Sequence, residues 1–582
     1  MQAALPAAIA LLVYFLGYLI YSRFLAEKVF QLRGDVKTPA VEFEDGVDFV
    51  PSRPFVLFGH HYASIAGLAP MLGPAVAVVW GWLPAMVWVV LGAIFVGCVH
   101  DFGSLVVSMR ARGQSIGVVA EGIMGKRAKS LMHCIIFFLV SLAMGVFVFV
   151  IAFLFSPATT PDQAHIHFPQ AVIPSFGLML IACVMGLMVY KRGGQWKIYG
   201  TIGFLLTLGL VYLAGNEAVV SASGLKNPDL APDVKGWSKV LLIYAFLASV
   251  LPVWLLLQPR DLLNSLLLYL GLSGLYAGFF FLNPEFAAPA VRTEVDGAPS
   301  LIPFVFIVIA CGAASGFHSL VSSGTTSKQI ANEKDARAIG YGGMIGESLL
   351  GLIAVLATTA GITSTQSWDH IYANWASVQS LGAKVGVFIN GGATFLESLG
   401  IEREIGASFI SIIVVSYALT SLDSATRLLR YNFEEMGASI GLKLMKNRVF
   451  SSLCAVGAIG FFAFYEVGGK PAGLALWKLF GTTNQLLAGL ALLIITLYLL
   501  QRGKPWLYTG IPMLFLMGST IFAMVTNVRG FQAQGDWILF AVGTILLVLA
   551  VWLLVEAFIC VRKVKNSGSR LDDLSVFTGS HH

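Results

Sequence analysis

Charge is what this chain has little of. Asp, Glu, Lys and Arg make up only 12% of its 582 residues, against 57% hydrophobic residues, and the mean hydropathy is +0.80. A soluble globular domain carries about a quarter of charged residues, so the composition excludes one and leaves a polytopic membrane protein. Catalytic signatures are missing too. The sequence has no HExxH, no GxxxxGK[ST] phosphate loop, no CxxCH haem site and no GxSxG elbow, which argues against an enzyme and against an ATP-driven pump. It also has no potassium-type selectivity filter. The six cysteines (Cys98, Cys134, Cys183, Cys311, Cys454, Cys560) lie in apolar runs without CxxC or CxH spacing. They read as small packing residues rather than disulfides or zinc ligands, and no metal or cofactor is expected. The net charge of +6 does not point to nucleic acid, because the basic residues sit in short loops between apolar segments.

What is present is a long series of apolar runs. A membrane span needs about 20 mostly apolar residues. That criterion predicts about fifteen helices, near 5–24, 55–79, 83–109, 131–155, 172–190, 198–214, 238–258, 262–282, 302–324, 342–362, 405–424, 449–465, 473–500, 507–526 and 537–561. The stretch 385–400 is too short and Gly-rich to span and reads as a re-entrant piece. The first run is longer than a signal-peptide core and has no basic segment before it, so it reads as a retained helix. The expected organisation is one transmembrane domain over 1–566 and a cytoplasmic tail, 567–582, ending in Gly-Ser-His-His like a tag remnant. Lys and Arg cluster at 23–53, 110–129, 191–197, 328–337, 427–448 and 562–570, and the intervening loops hold few. Positive-inside bias then puts the N-terminus outside and the C-terminus in the cytoplasm. His165 and His167 fall in the external loop 156–170 and read as solvated.

Two spans make poor helices. Segment 54–80 carries Gly59, Gly67, Pro70, Gly73 and Pro74; segment 302–330 carries Gly312, Gly316, Gly324 and a hydroxyl cluster from Ser315 to Ser327. Unpaired backbone groups are not tolerated against lipid, so a break at depth lines a cavity or is buried in protein. Gly59, His61 and Gly67 match the spacing of Gly316, His318 and Gly324, in spans predicted to run oppositely. Paired interrupted helices of this kind point to an inverted-repeat secondary transporter.

Ionisable residues inside the apolar runs cost at least about 2.5–3.5 kcal/mol each on the insertion scale, which marks His60, His61, His100, Asp101, His318, Glu347 and Asp423 as candidates. Adjacent residues such as His60 and His61 point about 100° apart on a helix. Bland readings compete. Asp101 lies about two turns from Arg110, Glu347 near the expected start of its helix, and Asp423 four residues before Arg427, a pairing distance. Ser416, Thr420 and Asp423 form one polar stripe.

The stretches FGHHYASIAG (58–67), GWLPAMVW (81–88), VHDFGSL (99–105), ASGFHSLVSSGTTSKQI (314–330), SYALTSLDSATR (416–427) and LFGTTNQLLAGLALL (479–493) resemble the carbon-starvation protein (CstA) family of bacterial inner-membrane transporters. The resemblance implies an all-α core of the amino acid–polyamine–cation (LeuT-like) type, with two inverted repeats and two discontinuous helices. It implies uptake of short peptides or of pyruvate during carbon limitation, the latter by proton symport. The matching motif positions are His60, His61 and Ser64, then His100 and Asp101, then His318, Ser319, Ser323, Gly324 and Thr325. The expected site binds the substrate carboxylate on backbone N–H groups at breaks around Gly67 and Gly324. Ser64, Ser319, Ser323 and Thr325 add hydroxyl donors. His61 and His318 suit proton-linked binding. Asp101 is the first choice for the coupling proton, with His100, Glu347 and Asp423 behind it. A sodium-coupled carrier of the same substrates and a membrane nutrient sensor are the alternatives.

Overall fold

The computed structural model describes residues 1–158, 167–378, 381–467 and 470–567. Its regular structure is helical apart from the pairing of Glu466–Val467 with Lys470–Pro471 and two isolated bridges. Among the described residues eleven helices are long and apolar enough to cross a membrane: Ala4–Val29, Trp82–Arg110, Lys126–Phe155, Pro169–Lys191, Trp196–Gly215, Leu257–Leu282, Glu333–Thr359, Arg403–Ser439, Trp477–Gln501, Leu507–Gln534 and Trp537–Lys563. Counting the bent pair Pro54–Ile65 and Ala69–Trp80 as one span gives twelve. The chain is a multi-pass membrane protein.

The other expected spans are helical but fall short, for local reasons. Val234–Val250 has 17 residues; it starts on an Asp233 side-chain cap and stops at Leu251, because Pro252 cannot continue a helix. Arg448–Phe464, also 17 residues, starts where Asn447 accepts from the Val449 and Phe450 N–H groups. The 385–400 stretch is part of a 17-residue helix, Leu381–Glu397. His167, expected to be solvated, is buried, and its Nδ1 meets the Phe153 carbonyl at 2.8 Å. His165 and residues 579–582 lie outside the described residues. All six cysteines are free.

Helices sort by depth. The apolar stretch of Trp477–Gln501 is 94% buried and sits at the centre, while those of Ala4–Val29 and Trp196–Gly215 are only 22% buried and form the rim. Two interrupted spans pack inside this ring. The first parts at Ala66–Leu68, bending 48° between its halves, with Ala66 outside helical geometry at ψ 67°. Pro70 then enters the second half in its first turn, where a missing N–H costs nothing. The second span parts at Ala314 and Ser315, both extended (ψ 100° and 127°), between Ala310–Ala313 and Gly316–Gly324. Gly324 ends the second half instead of interrupting it, so the expected break there is corrected. Measured from the breaks, Gly67 stands opposite Ser315, and the shared glycine–histidine spacing is fortuitous. Gly316 is required for another reason: a Cβ would lie 2.3 Å from the Asn484 carbonyl oxygen, where helix Trp477–Gln501 passes.

Loops close the bundle at both ends. At one end Arg292 N–H bonds the Trp80 carbonyl at 2.8 Å and the Arg292 guanidinium caps the Tyr372 carbonyl at 2.7 Å. At the other, the segment before the first broken span crosses the foot of the second: Val50 N–H bonds the Lys328 carbonyl at 3.1 Å and Ser52 N–H the Gln329 carbonyl at 2.9 Å. Asp48 locks this crossing, 2.8 Å from Arg427 and 3.3 Å from Arg430. Burial alone would raise the Asp48 carboxyl, but Arg427, Arg430 and Lys328 outweigh it and hold it well below the usual carboxylate range. Asp48→Asn is expected to cost about 1.5–3 kcal/mol, read by thermal unfolding in detergent. A lowered native pKa stabilises above the unfolded-state value and fades as pH falls through the native one. The deficit should therefore stay constant from pH 8 to 5 and shrink only below about pH 4.

Candidate functional site

Adjacent histidines start two separate strings of buried polar groups. On helix Pro54–Ile65, His60 and His61 diverge by one residue's rotation and reach different helices. His60 Nδ1 lies 2.6 Å from Asp261 Oδ2, and its Nε2 lies 3.1 Å from Gln329 Nε2. Because the Gln329 amide can only donate, the ring carries its proton on Nδ1. Asp261 Oδ1 takes the Arg260 guanidinium at 2.7 Å. Arg260 also pairs with Asp423 and bonds the Tyr244 hydroxyl at 2.5 Å, and that hydroxyl bonds Asp423 in turn. One guanidinium thus sits between two carboxylates at full burial.

The string from His61 is different. His61 Nδ1 meets Thr326 Oγ1 at 2.9 Å, and its Nε2 faces Asp101 Oδ2 at 3.5 Å. His318 Nδ1 faces the same Asp101 oxygen at 3.5 Å, and His318 Nε2 lies 3.1 Å from Glu347 Oε2. Ser322 donates to the other Asp101 oxygen at 2.5 Å. The imidazole–carboxylate approaches are ion-pair contacts without hydrogen-bond alignment. His61 Nε2, Asp101 Oδ2, His318 Nδ1 and both Glu347 oxygens have no hydrogen-bond partner. Such buried orphans are rare, and each costs about 1–3 kcal/mol. The string joins both broken spans to helices Trp82–Arg110 and Glu333–Thr359.

A cavity of about 30 Å³ lies against this string, between the two breaks, lined by Gly67, Ser315, His318, Ser421 and Phe480 among others. That is room for about one water. A wide vestibule of about 850 Å³ opens towards the end of the bundle that holds Asp296, Trp375 and Gln534. Ala69, Cys311 and Phe480 line both spaces and separate them. At the second break the Asn484 side chain accepts from the Phe317 N–H at 3.0 Å and donates to Ser315 Oγ at 3.1 Å. A backbone donor at the observed second break therefore already has a protein partner.

Other expected site residues are placed as follows. Ser64 pairs with Ser424 at 2.8 Å. Ser319, Ser323 and Thr325 donate to helix carbonyls of Gly316, Ser319 and Val321, and Ser323 also accepts from Ile116 N–H at 3.0 Å. Gly67 lines the small cavity, but Gly324 packs against Leu428. His100 is buried with neither ring nitrogen bonded. Three competing readings are corrected. Arg110 pairs with Glu333 at 2.6 Å and leaves Asp101 to the histidines. Glu347 lies inside helix Gly342–Thr359, well beyond the chain's helical start at Glu333, so it is not a helix-end group. Asp423 joins Arg260, and Arg427 turns to Asp48 and the carbonyls of Ala248 and Leu251. The polar stripe faces helix Leu257–Leu282, with Asn264 donating to Thr420 at 2.8 Å.

Arg260, Asp261, Gln329 and Asn484 were not singled out from the sequence. Arg260 and Asp261 fell in a gap between two expected spans, although Pro259 marks the first turn of a helix that starts at Leu257. Asn484 lies in the short polar patch Thr482–Gln485 inside an apolar run, a signal akin to the one that selected the histidines. The two strings should respond differently to isosteric neutralisation. Asp261→Asn removes one of the two carboxylates on Arg260 and the anionic partner of His60 Nδ1, and should cost about 1.5–3 kcal/mol of thermal stability in detergent. Glu347→Gln, which removes a carboxylate lacking an aligned partner, should cost about 1 kcal/mol or less.

The chain matches the family model described as "Carbon starvation protein CstA" over residues 2–390 and 363–523. It is 31% identical to the "Peptide transporter CstA" of Bacillus subtilis (strain 168), covering 93% of this chain and 94% of that one. It is 31% identical to the "Pyruvate/proton symporter BtsT" of Escherichia coli (strain K12), covering 88% and 80%, and 33% identical to the "Peptide transporter CstA" of the same organism, covering 88% and 79%. Among solved structures, a manganese transporter of Eremococcus coleocola aligns with a TM-score of 0.39 at 10% identity, over 90% of this chain and 99% of that one; nothing is drawn from a likeness that small. With its family model spanning most of its length and these relatives aligned nearly end to end, the chain belongs to the carbon starvation protein CstA family.

Proposed function

We propose that this protein is a secondary active transporter that imports a small carboxylate-bearing nutrient, a short peptide or pyruvate, across the bacterial inner membrane, in symport with protons. The observation that carries the reading is the under-bonded string His61–Asp101–His318–Glu347, which ties both broken spans together beside the small cavity. Its orphaned nitrogens and oxygens are places where a proton can come and go without breaking a hydrogen bond. Two imidazoles and two carboxylates lie in contact there. A peptide transporter and a pyruvate/proton symporter among the relatives supply the candidate cargoes and the proton, and the carbon starvation family supplies the setting of carbon limitation.

In this reading the N-terminus is outside, because the basic loops gather at the end where Asp48 locks Arg427 and Arg430. The vestibule then faces outward, and the inner end is shut. Substrate passes from the vestibule between Ala69, Cys311 and Phe480 to the breaks, which must part to enlarge the small cavity. His318 reports the arrival of the anion to the string, a proton from outside balances its charge, and opening of the Asp48 lock releases both inward. The two interrupted spans act as the first helices of two inverted repeats, in a single membrane domain.

In proteoliposomes, radiolabelled pyruvate uptake, competed by di- and tripeptides, identifies the cargo. An inside-alkaline gradient should drive accumulation and a sodium gradient alone should not; the opposite pattern would establish the sodium-coupled reading. Asp101→Asn and Glu347→Gln should lower gradient-driven accumulation at least about tenfold, which is about 1.4 kcal/mol of coupling, while leaving exchange of internal for external substrate. His61→Ala and His318→Ala should lose both activities. Wild-type kinetics in all four variants would end the proposal.

A further inference from the structure

The vestibule contains a charged side chain that the coupling string does not use. Lys384, on helix Leu381–Glu397, lines the vestibule wall and is only 9% exposed. Among the described residues it makes no hydrogen bond or ion pair with any side chain, carbonyl or carboxylate. Elsewhere buried cations are compensated: Arg260 by Asp261 and Asp423, Arg110 by Glu333, Arg427 by Asp48. Its stem is buried while its ammonium faces the vestibule instead of a protein partner. In such a recess, walled by low-dielectric protein, its attraction for an arriving anion is stronger than on an open surface.

The surroundings define the class of anion. Lys384 shares the vestibule with Lys478 and Asp296, two cations to one carboxylate, and with the indoles of Trp375 and Trp477. At about 850 Å³ the space is within the range, about 300–1,000 Å³, of sites that enclose drug-sized ligands. It is large enough for a short peptide as well as for pyruvate. The small cavity, at about 30 Å³, holds neither without rearrangement.

Resting on the transporter reading above, we infer that Lys384 is an outer docking residue. It pairs with the substrate carboxylate in the vestibule and holds it there before the breaks part. The vestibule is then a first binding site in series with the site between the breaks, and carboxylate selection begins at its wall. Asp296, exposed and lining the same vestibule, is a carboxylate able to face the amino end of a peptide.

The test compares dialanine with the same dipeptide amidated at its C-terminus, as competitors of radiolabelled pyruvate uptake. Wild-type protein should favour the free acid. Lys384→Gln should raise KM about tenfold or more, the loss of one charge-assisted hydrogen bond, with kcat near wild type, and should treat acid and amide alike. Lys384→Arg should restore the preference. Removing an unpartnered buried charge should not unfold the protein, and thermal unfolding in detergent checks this. Lys384→Met, of matching length, replaces Gln where Gln misfolds. A variant whose KM stays within twofold and which still prefers the acid overturns the inference. If wild-type protein transports neither compound, the transporter reading has failed. Calorimetric binding of dialanine and its amide to detergent-purified wild type and Lys384→Gln then decides the role of Lys384 alone: an acid preference lost in the variant supports it, and equal preferences overturn it.

Discussion

The architecture depends on one constraint, the need to settle charge and backbone polarity without help from water. His60 and His61 meet it in two directions from one helical turn. His60 reaches a string in which a guanidinium lies between two carboxylates, and His61 a string of imidazoles and carboxylates only. Their separation keeps Arg260 away from Asp101 and Glu347. A guanidinium in the second string would fix its charge permanently, because Arg does not release its proton.

The difference between the strings is one of completeness. Around Asp261 most donors have acceptors, including the Gln258–Gln329 amide chain at 2.5 Å that orients His60. A closed network of this type holds helices in register. Around Asp101 several atoms face one another at 3.5 Å with no proton path fixed between them. Stability is given up locally, next to the point where the backbone itself is interrupted. The cost is concentrated in one small region of an otherwise densely packed bundle.

Much of this was legible in the sequence, for identifiable reasons. Eleven of the expected spans follow from apolar length alone, and the first break from Gly67 and Pro70. Of the isolated charges, His61, Asp101, His318 and Glu347 stand together although they come from four segments. What failed was pairing by sequence proximity: Asp101 with Arg110, and Asp423 with Arg427. In a bundle this deep, partners come from other helices, and one-dimensional spacing does not encode them. The second break was misplaced for a related reason. Gly316 and Gly324 look alike in sequence, but Gly316 answers to a neighbouring backbone at 2.3 Å and Gly324 to the Leu428 side chain. Arg260 and Asp261 were missed because a loop was expected where the helix had already begun.

Asn484 gives the second interrupted span a mechanical asymmetry. It grips that span at its parting point, through Ser315 and the Phe317 N–H, from the most enclosed helix of the molecule. A rod held at its middle by a fixed post has a fulcrum, and displacement of one arm is returned as opposite displacement of the other. The first interrupted span has no such side-chain hydrogen-bonding grip at its parting point among the described residues: at Gly67 the Ser421 side chain and the Phe147 ring lie across the space a Cβ would fill. One partner of the pair is therefore built to swivel in place and the other is free to slide.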